Sequence, residues 1–261
     1  MNKRLFITPI IAIPIGICAL LMFLTGCGTV GMRGDDYVPT YTKALLESAR
    51  NGDAKAEFDL GTCYGTGNGI QQNYAEAVNW YQKAAEQGYG KAQNNIGTYY
   101  YYGYGVAQDY KQAVNCYQKS ADQGFAYAQC GLGDCYYNGK GIQQDYKNAI
   151  YWYRKSAEQG NAKAQCELGE CYYQGNGIVR NYTNAVMWFR KSADQGYAAA
   201  QNDLGGCYHQ GDGVTQDCTN AVYWLQKAAD QGNVKAQNNL KKLSSTPDNS
   251  SSDNTGSRSL Q

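Results

Sequence analysis

The chain has 261 residues, with 23 lysines and arginines against 22 aspartates and glutamates, for a formal net charge of +1. No basic stripe is available to neutralise phosphates, which argues against nucleic acid as a partner. With a single histidine, no C-x-x-C pair and no Cys/His cluster, no metal site and no cofactor site is expected.

The chain opens Met1-Asn2-Lys3-Arg4, and an apolar run follows over residues 5–24. A short basic start before an apolar stretch reads as a targeting signal, although the run is long enough to span a bilayer of roughly 20 residues. Leu24-Thr25-Gly26-Cys27 resembles the bacterial lipoprotein signal, whose cysteine takes lipid and becomes the new N-terminus. The expectation is therefore a signal peptide over residues 1–26 and a lipid on Cys27, with an uncleaved anchor as the competing reading. Several acyl chains hold a protein on a membrane where one gives marginal binding. Gly28 in place of aspartate points, by analogy to Gram-negative lipoproteins, to the outer membrane, with the protein facing the periplasm or the surface. Loss of Lys3 and Arg4 with the signal leaves 21 basic residues against 22 acidic. Residues 27–40 read as a tether.

From residue 41 a 36-residue period takes over, without insertion or deletion. Ala56, Ala92, Ala128, Ala164, Ala200 and Ala236 stand one period apart, as do Leu60, Ile96, Leu132, Leu168 and Leu204. Such a period means a repeat array. In the unit 53–88, Ala56, Leu60 and Tyr64 are spaced by four and lie on one face of a helix. Gly67 and Gly69 end it. Asn73 suits an N-cap, Glu76 completes a capping box, and Ala77, Trp80, Tyr81 and Ala84 mark a second helix. Asp109 and Gln112 repeat the pairing. Lys83 near the helix end and Gly88 just past it suit a C-terminus. Each unit is two antiparallel helices that bury their apolar stripes against the neighbouring unit. Five full repeats span 53–232, after a partial N-terminal helix in residues 41–52. A closing helix over 233–243 carries Lys241 and Lys242 on the polar outer face of a cap. Residues 244–261 are almost devoid of apolar side chains and read as a disordered tail.

The motif A-x-x-x-L-G-x-x-Y-x-x-G-x-G-[IV], followed by [DN]-Y, A-x-x-[WY]-[YF] and K-[AS]-A, resembles the Sel-one-like repeat, a subclass of tetratricopeptide-like solenoids. The resemblance covers residues 41–243 and implies an all-α, right-handed α-solenoid. Cys116 stands where other units have Trp80, Trp152, Trp188 and Trp224, and Cys218 where they have a tyrosine. Members mostly act as scaffolds and adaptors for other proteins, and some secreted cysteine-rich members are described as binding or hydrolysing β-lactams.

Eight cysteines remain beyond Cys18 and Cys27. Cys135, Cys171 and Cys207 share one repeat position, too far apart between stacked helices for disulfides, and read as buried thiols. Two pairs flank turns and are the possible disulfides: Cys116 with Cys130, and Cys207 with Cys218. His209 is the one histidine, and it reads as a surface residue in a tyrosine column. The recurring glycine pairs are turns rather than phosphate loops, since they lack the Lys-Ser/Thr pair and fall between helices. No once-only catalytic constellation is present, so no enzyme is expected. Tyr64, Tyr100, Tyr136, Tyr172 and Tyr208 read as core. The candidate partner-binding groove is a stripe of positions off the packing face of each first helix: Tyr101, Tyr102, Asp134, Tyr137, Glu170, Tyr173 and His209. Tyrosine tends to anchor interfaces, whereas Asp134 and Glu170 taken alone read as solvated.

The functional expectation is a membrane-anchored interaction scaffold of the cell envelope that holds an unidentified protein or peptide in the concave groove. The alternatives are an envelope enzyme or binding protein for β-lactam or cell-wall compounds, and a secreted effector.

Overall fold

The computed structural model describes residues 38–245. The expected signal, the lipid on Cys27, the tether up to residue 37 and the tail from residue 246 lie outside the described residues. Among the described residues there are twelve helices and no strand. They are α1 (Lys43–Arg50), α2 (Ala54–Thr66), α3 (Tyr74–Glu86), α4 (Gly90–Tyr102), α5 (Tyr110–Asp122), α6 (Ala126–Asn138), α7 (Tyr146–Glu158), α8 (Ala162–Gln174), α9 (Tyr182–Asp194), α10 (Ala198–Gln210), α11 (Cys218–Asp230) and α12 (Val234–Ser245). The closing helix runs to Ser245, past the expected end at residue 243. The helices form two compact units that divide within α5, one up to Lys119 and one from Ser120 on.

Local chemistry sets the helix ends. Asn73 accepts a hydrogen bond from the Glu76 backbone N–H at 3.1 Å, and Asp109 accepts from those of Lys111 and Gln112. Each cap satisfies backbone donors that the first helical turn leaves free. At the far end of α10, Gly211 adopts φ +78° and its N–H reaches the Cys207 carbonyl at 2.8 Å. Two residues on, Gly213 (φ +71°) lies so close to the start of α9 that a Cβ there would sit 2.4 Å from the Tyr182 carbonyl carbon. Only glycine meets both requirements.

Consecutive helices pack pairwise within each unit, which makes an all-α solenoid of helix hairpins. In the first unit Leu60 packs with Ala49, Ala56 and Trp80, and Ile96 with Ala77, Tyr81 and Tyr99. In the second, Leu168 packs with Ala149, Ile150, Tyr153 and Ala164, and Leu204 with Ala185, Val186, Phe189 and Ala200. The Leu/Ile column is fully buried. The deepest aromatic and sulfur column, however, is Cys63, Tyr99, Cys135, Cys171 and Cys207, one residue before the tyrosines read as core. Those tyrosines are half-buried, because a one-residue step turns a side chain by about 100° around a helix.

Polar ties also join the two helices of a hairpin. Ser156 donates to the Ala126 carbonyl at 2.7 Å and Ser192 to the Ala162 carbonyl at 2.6 Å. Gln159 donates to Gln129 at 2.8 Å, and Gln195 to Gln165 at 2.7 Å. The serines and Gln129 and Gln165 are buried, so these bonds satisfy groups that would otherwise be costly to leave unpaired.

Candidate functional site

Within each hairpin, one position on the first helix faces one position on the second. Tyr81 donates its hydroxyl proton to Thr62 Oγ1 at 3.1 Å, and Tyr117 and Thr98 share a hydrogen bond of 3.0 Å. In the second unit Tyr153 donates to Asp134 Oδ1 at 2.8 Å. One period later the pair becomes Glu170 and Phe189, and then Gly206 and Leu225. Phe189 and Leu225 have no hydroxyl. Glu170 instead accepts from Gln174, on its own helix, and Gly206 leaves open space, since a Cβ there would meet nothing within 4 Å.

A groove opens where the pairing lapses, polar at one end and mostly apolar at the other. Two adjoining cavities of about 200 and 260 Å³ share Gly206, Gln210 and Asn239. The smaller is also lined by Glu170, Tyr173, Phe189, Asn202 and Asp203. The larger extends along His209, Leu225, Lys242 and Leu243. α8, α10 and α12, the first helices of successive hairpins and the closing helix, supply most of the lining.

The groove is wired from beneath. Asn239 donates to Asn202 Oδ1 at 3.0 Å, Asn202 donates to Asp203 Oδ1 at 2.9 Å, and the Cys166 thiol approaches Asp203 Oδ2 at 3.6 Å. Burial pushes the Asp203 carboxyl above its ordinary range. Burial, then the nearby Asp203 charge, does the same to Glu170. Glu167, one turn before Glu170, is raised to about 7, first by burial and next by Asp134, with Lys163 opposing. Burial also raises the Cys166 thiol, with the Asp203 charge adding to it, so this sulfur is no thiolate nucleophile at neutral pH. Among the described residues no group of three or more His, Cys, Asp or Glu could hold a metal ion.

The residues picked out from sequence divide into three sets. Glu170, Tyr173 and His209 come together on the groove, with His209 exposed at its rim. Asp134 and Tyr137 belong to the preceding hairpin and have structural partners. Asp134 is not solvated: it holds Tyr153 and forms an ion pair with Lys163. Tyr137 lies 5.1 Å from the Tyr146 ring and accepts from Asn176 Nδ2 at 2.8 Å, in the turn of the next repeat. Tyr173 repeats the arrangement and donates to Asp212 Oδ2 at 2.7 Å. These tyrosines therefore do lie on a packing surface, the one between a helix end and the following turn. Tyr101 and Tyr102 belong to the first unit, where Tyr101 packs on Tyr110 and Tyr102 stacks on Tyr104.

Neither expected disulfide is formed: Cys116, Cys130, Cys207 and Cys218 are all free. Cys207 points into the core with Phe189 and Leu204, while Cys218 is exposed at the start of α11. Asn202, Asp203 and Asn239 escaped the sequence reading. Their signal was the tyrosine column of the second helices turning to Phe189 and Leu225.

Against known proteins, a family model described as Sel1 repeat matches residues 54–89, 90–125, 126–161, 162–197 and 198–233. Among solved structures the chain is similar to c5321, a protective antigen of uropathogenic Escherichia coli strains displaying an SLR fold (40% identity, TM-score 0.69, 76% of this chain and 43% of that one). It is likewise similar to a Sel1 repeat protein from Oxalobacter formigenes (33% identity, TM-score 0.70, 77% of this chain and 86% of that one). Among curated proteins it resembles DAP3-binding cell death enhancer 1 of Rattus norvegicus, 53% identical over 38 residues. The chain spans 8% of that relative's length and the match takes in 15% of the chain.

Proposed function

The chain belongs to the Sel1 repeat family, whose proteins generally mediate protein–protein interaction and are typically non-enzymatic scaffolds, and on that premise we propose that it is a membrane-anchored adaptor of the cell envelope. It holds an extended segment of a partner protein in the groove of its second unit. The observation that carries this reading is the lapse of the hydroxyl-to-acceptor pairing at Phe189 and Leu225, which opens the groove along α10. The acceptors Glu170, Asp203 and Gln210 suit the N–H groups of an extended backbone and cationic side chains. Leu243, with the buried Leu225 behind it, gives the apolar contact that such a segment needs.

Anchoring through Cys27 rests on the sequence Leu24-Thr25-Gly26-Cys27 after an apolar run. Metabolic labelling with a fatty acid tests it: label is expected on the wild type and lost in Cys27→Ala. Label retained by the variant rules the lipid anchor out. For the groove, affinity capture from membranes with crosslinking and mass spectrometry should recover one partner whose crosslinks fall on α8 and α10. Crosslinks confined to other helices would place binding elsewhere.

A further inference from the structure

The second helices of the hairpins in the second unit carry a surface that the groove does not use. Tyr151, Met187 and Tyr223 stand one period apart on α7, α9 and α11 and are 50%, 42% and 49% exposed. Each is followed by a tryptophan, Trp152, Trp188 or Trp224, and three residues later by a lysine. Lys155 Nζ lies 4.7 Å from the Tyr151 ring centre and 5.2 Å from that of Trp152. Lys191 lies 4.3 Å from Trp188, and Lys227 lies 4.5 Å from Tyr223 and 5.1 Å from Trp224. Among the described residues no ion pair takes up Lys155, Lys191 or Lys227. In the first unit Asn79 and Asn115 occupy the exposed position, so the row belongs to the second unit.

The charges of this unit are sorted by helix. α7, α9 and α11 hold six basic residues against three acidic, a net of +3. α6, α8 and α10 hold Lys163 against Asp134, Glu167, Glu170 and Asp203, a net of −3. Exposed tyrosines with an apolar body and a polar tip, beside lysines with long apolar stems, are side chains that settle at a membrane–water boundary. An excess of lysine and arginine is drawn to anionic headgroups.

We infer that the row Tyr151/Lys155, Met187/Lys191 and Tyr223/Lys227 docks on an anionic phospholipid surface, leaving the groove of α8 and α10 turned to the partner. The inference rests on the anchoring reading above. From a lipid on Cys27, residues 28–40 reach at most about 45 Å, which tethers the start of the repeats to the bilayer, and the charge of the second unit decides which of its faces is drawn to an anionic surface.

Three of the four tryptophans of the chain stand directly beneath this row, Trp188 half-buried and Trp152 and Trp224 buried, which supplies a native probe at short range. Full-length protein is reconstituted with vesicles of phosphatidylcholine alone or mixed with phosphatidylglycerol, the acyl chains brominated in each. Flotation reads attachment, and quenching of tryptophan emission reads contact of this row with lipid. The expected result is quenching that requires phosphatidylglycerol and fades with salt. In Lys155→Glu/Lys191→Glu/Lys227→Glu the docked fraction should fall about 100-fold relative to the undocked, at roughly 1 kcal/mol per basic residue. The triple Lys→Gln variant gives the same direction should the charge reversal disturb folding, which far-ultraviolet circular dichroism reads. Floating protein with no phosphatidylglycerol-dependent quenching overturns the docking and leaves the anchor standing. Phosphatidylglycerol-dependent quenching in protein that carries no lipid on Cys27 upholds the docking and removes the anchor. Uptake of soluble poly-glutamate by the row, with no response to vesicles, makes it a face for acidic protein and overturns the proposal.

Discussion

Tyr153 donates its hydroxyl proton to Asp134 at 2.8 Å, and one period later Phe189 has no proton to offer Glu170. The same backbone position thus serves as a structural clasp in one hairpin and as a groove wall in the next. Repetition builds the scaffold, and departure from repetition builds the site.

The core column should behave as a core. Leu168 is fully buried among Ala149, Ile150, Tyr153 and Cys171. Leu168→Ala is expected to cost about 2–5 kcal/mol, from lost burial and the cavity left behind. Denaturant unfolding followed by circular dichroism measures it, and a loss well under 1 kcal/mol would misplace the core face.

Two neighbouring glycines should respond in opposite directions. A Cβ on Gly205 would meet Leu225 Cγ at 2.7 Å and the Ala221 carbonyl oxygen at 3.2 Å, whereas one on Gly206 meets nothing within 4 Å. Gly205→Ala should destabilise by about 1–3 kcal/mol through overpacking. Gly206→Ala should stabilise by up to about 1 kcal/mol, because alanine favours the helix. Thermal melts of the two variants would show the opposite shifts. Equal shifts would contradict the geometry of the groove.

The half-buried carboxylates should make stability fall as pH rises. Glu167 titrates at about 7 in the folded protein, against about 4.3 when unfolded. The folded state therefore holds the proton more tightly in that interval. The contribution is fully present below the unfolded value and is lost as pH rises through the folded one. Melting temperature should drop between pH 5 and pH 8, with Glu170 and Asp203, both raised, adding in the same direction. Glu167→Gln should flatten the profile and raise stability at pH 8. An unchanged profile would mean that Glu167 is ionised throughout.

The thiols should react unequally. Burial pushes Cys135, Cys171 and Cys207 up to about 12, and Cys63 and Cys116 up to about 11. Iodoacetamide at pH 8 should modify exposed Cys218 in native, reduced protein long before any of these, since the thiolate is the nucleophile. Peptide mass spectrometry over time gives the order.

Most of the scaffold could be read from the period alone. Ala56 and Leu60 with their repeats marked the buried stripe, Asn73 and Asp109 the caps, and Gly67 and Gly88 the ends. Those features act within one hairpin or between equivalent positions, which periodicity exposes. The role of Tyr137 and Tyr173 was hidden because their partners, Asn176 and Asp212, stand 39 residues later in the following turn. No helical pattern reports such a contact. The groove was half visible: Glu170, Tyr173 and His209 drew attention, but its opening depends on reading the first-helix column against the second-helix column. The disulfides failed for a related reason, since flanking a turn does not aim two side chains at each other.

The groove itself is tested most directly by filling it. Gly206→Phe places a ring where the two cavities meet, at a position where an added Cβ meets nothing within 4 Å. A photo-crosslinking amino acid at exposed Gln210 then reports occupancy in membranes. A crosslinked partner is expected in the wild-type background, with at least a tenfold loss, about 1.4 kcal/mol, in Gly206→Phe at unchanged helicity. Equal crosslinking in both backgrounds would contradict binding in the groove.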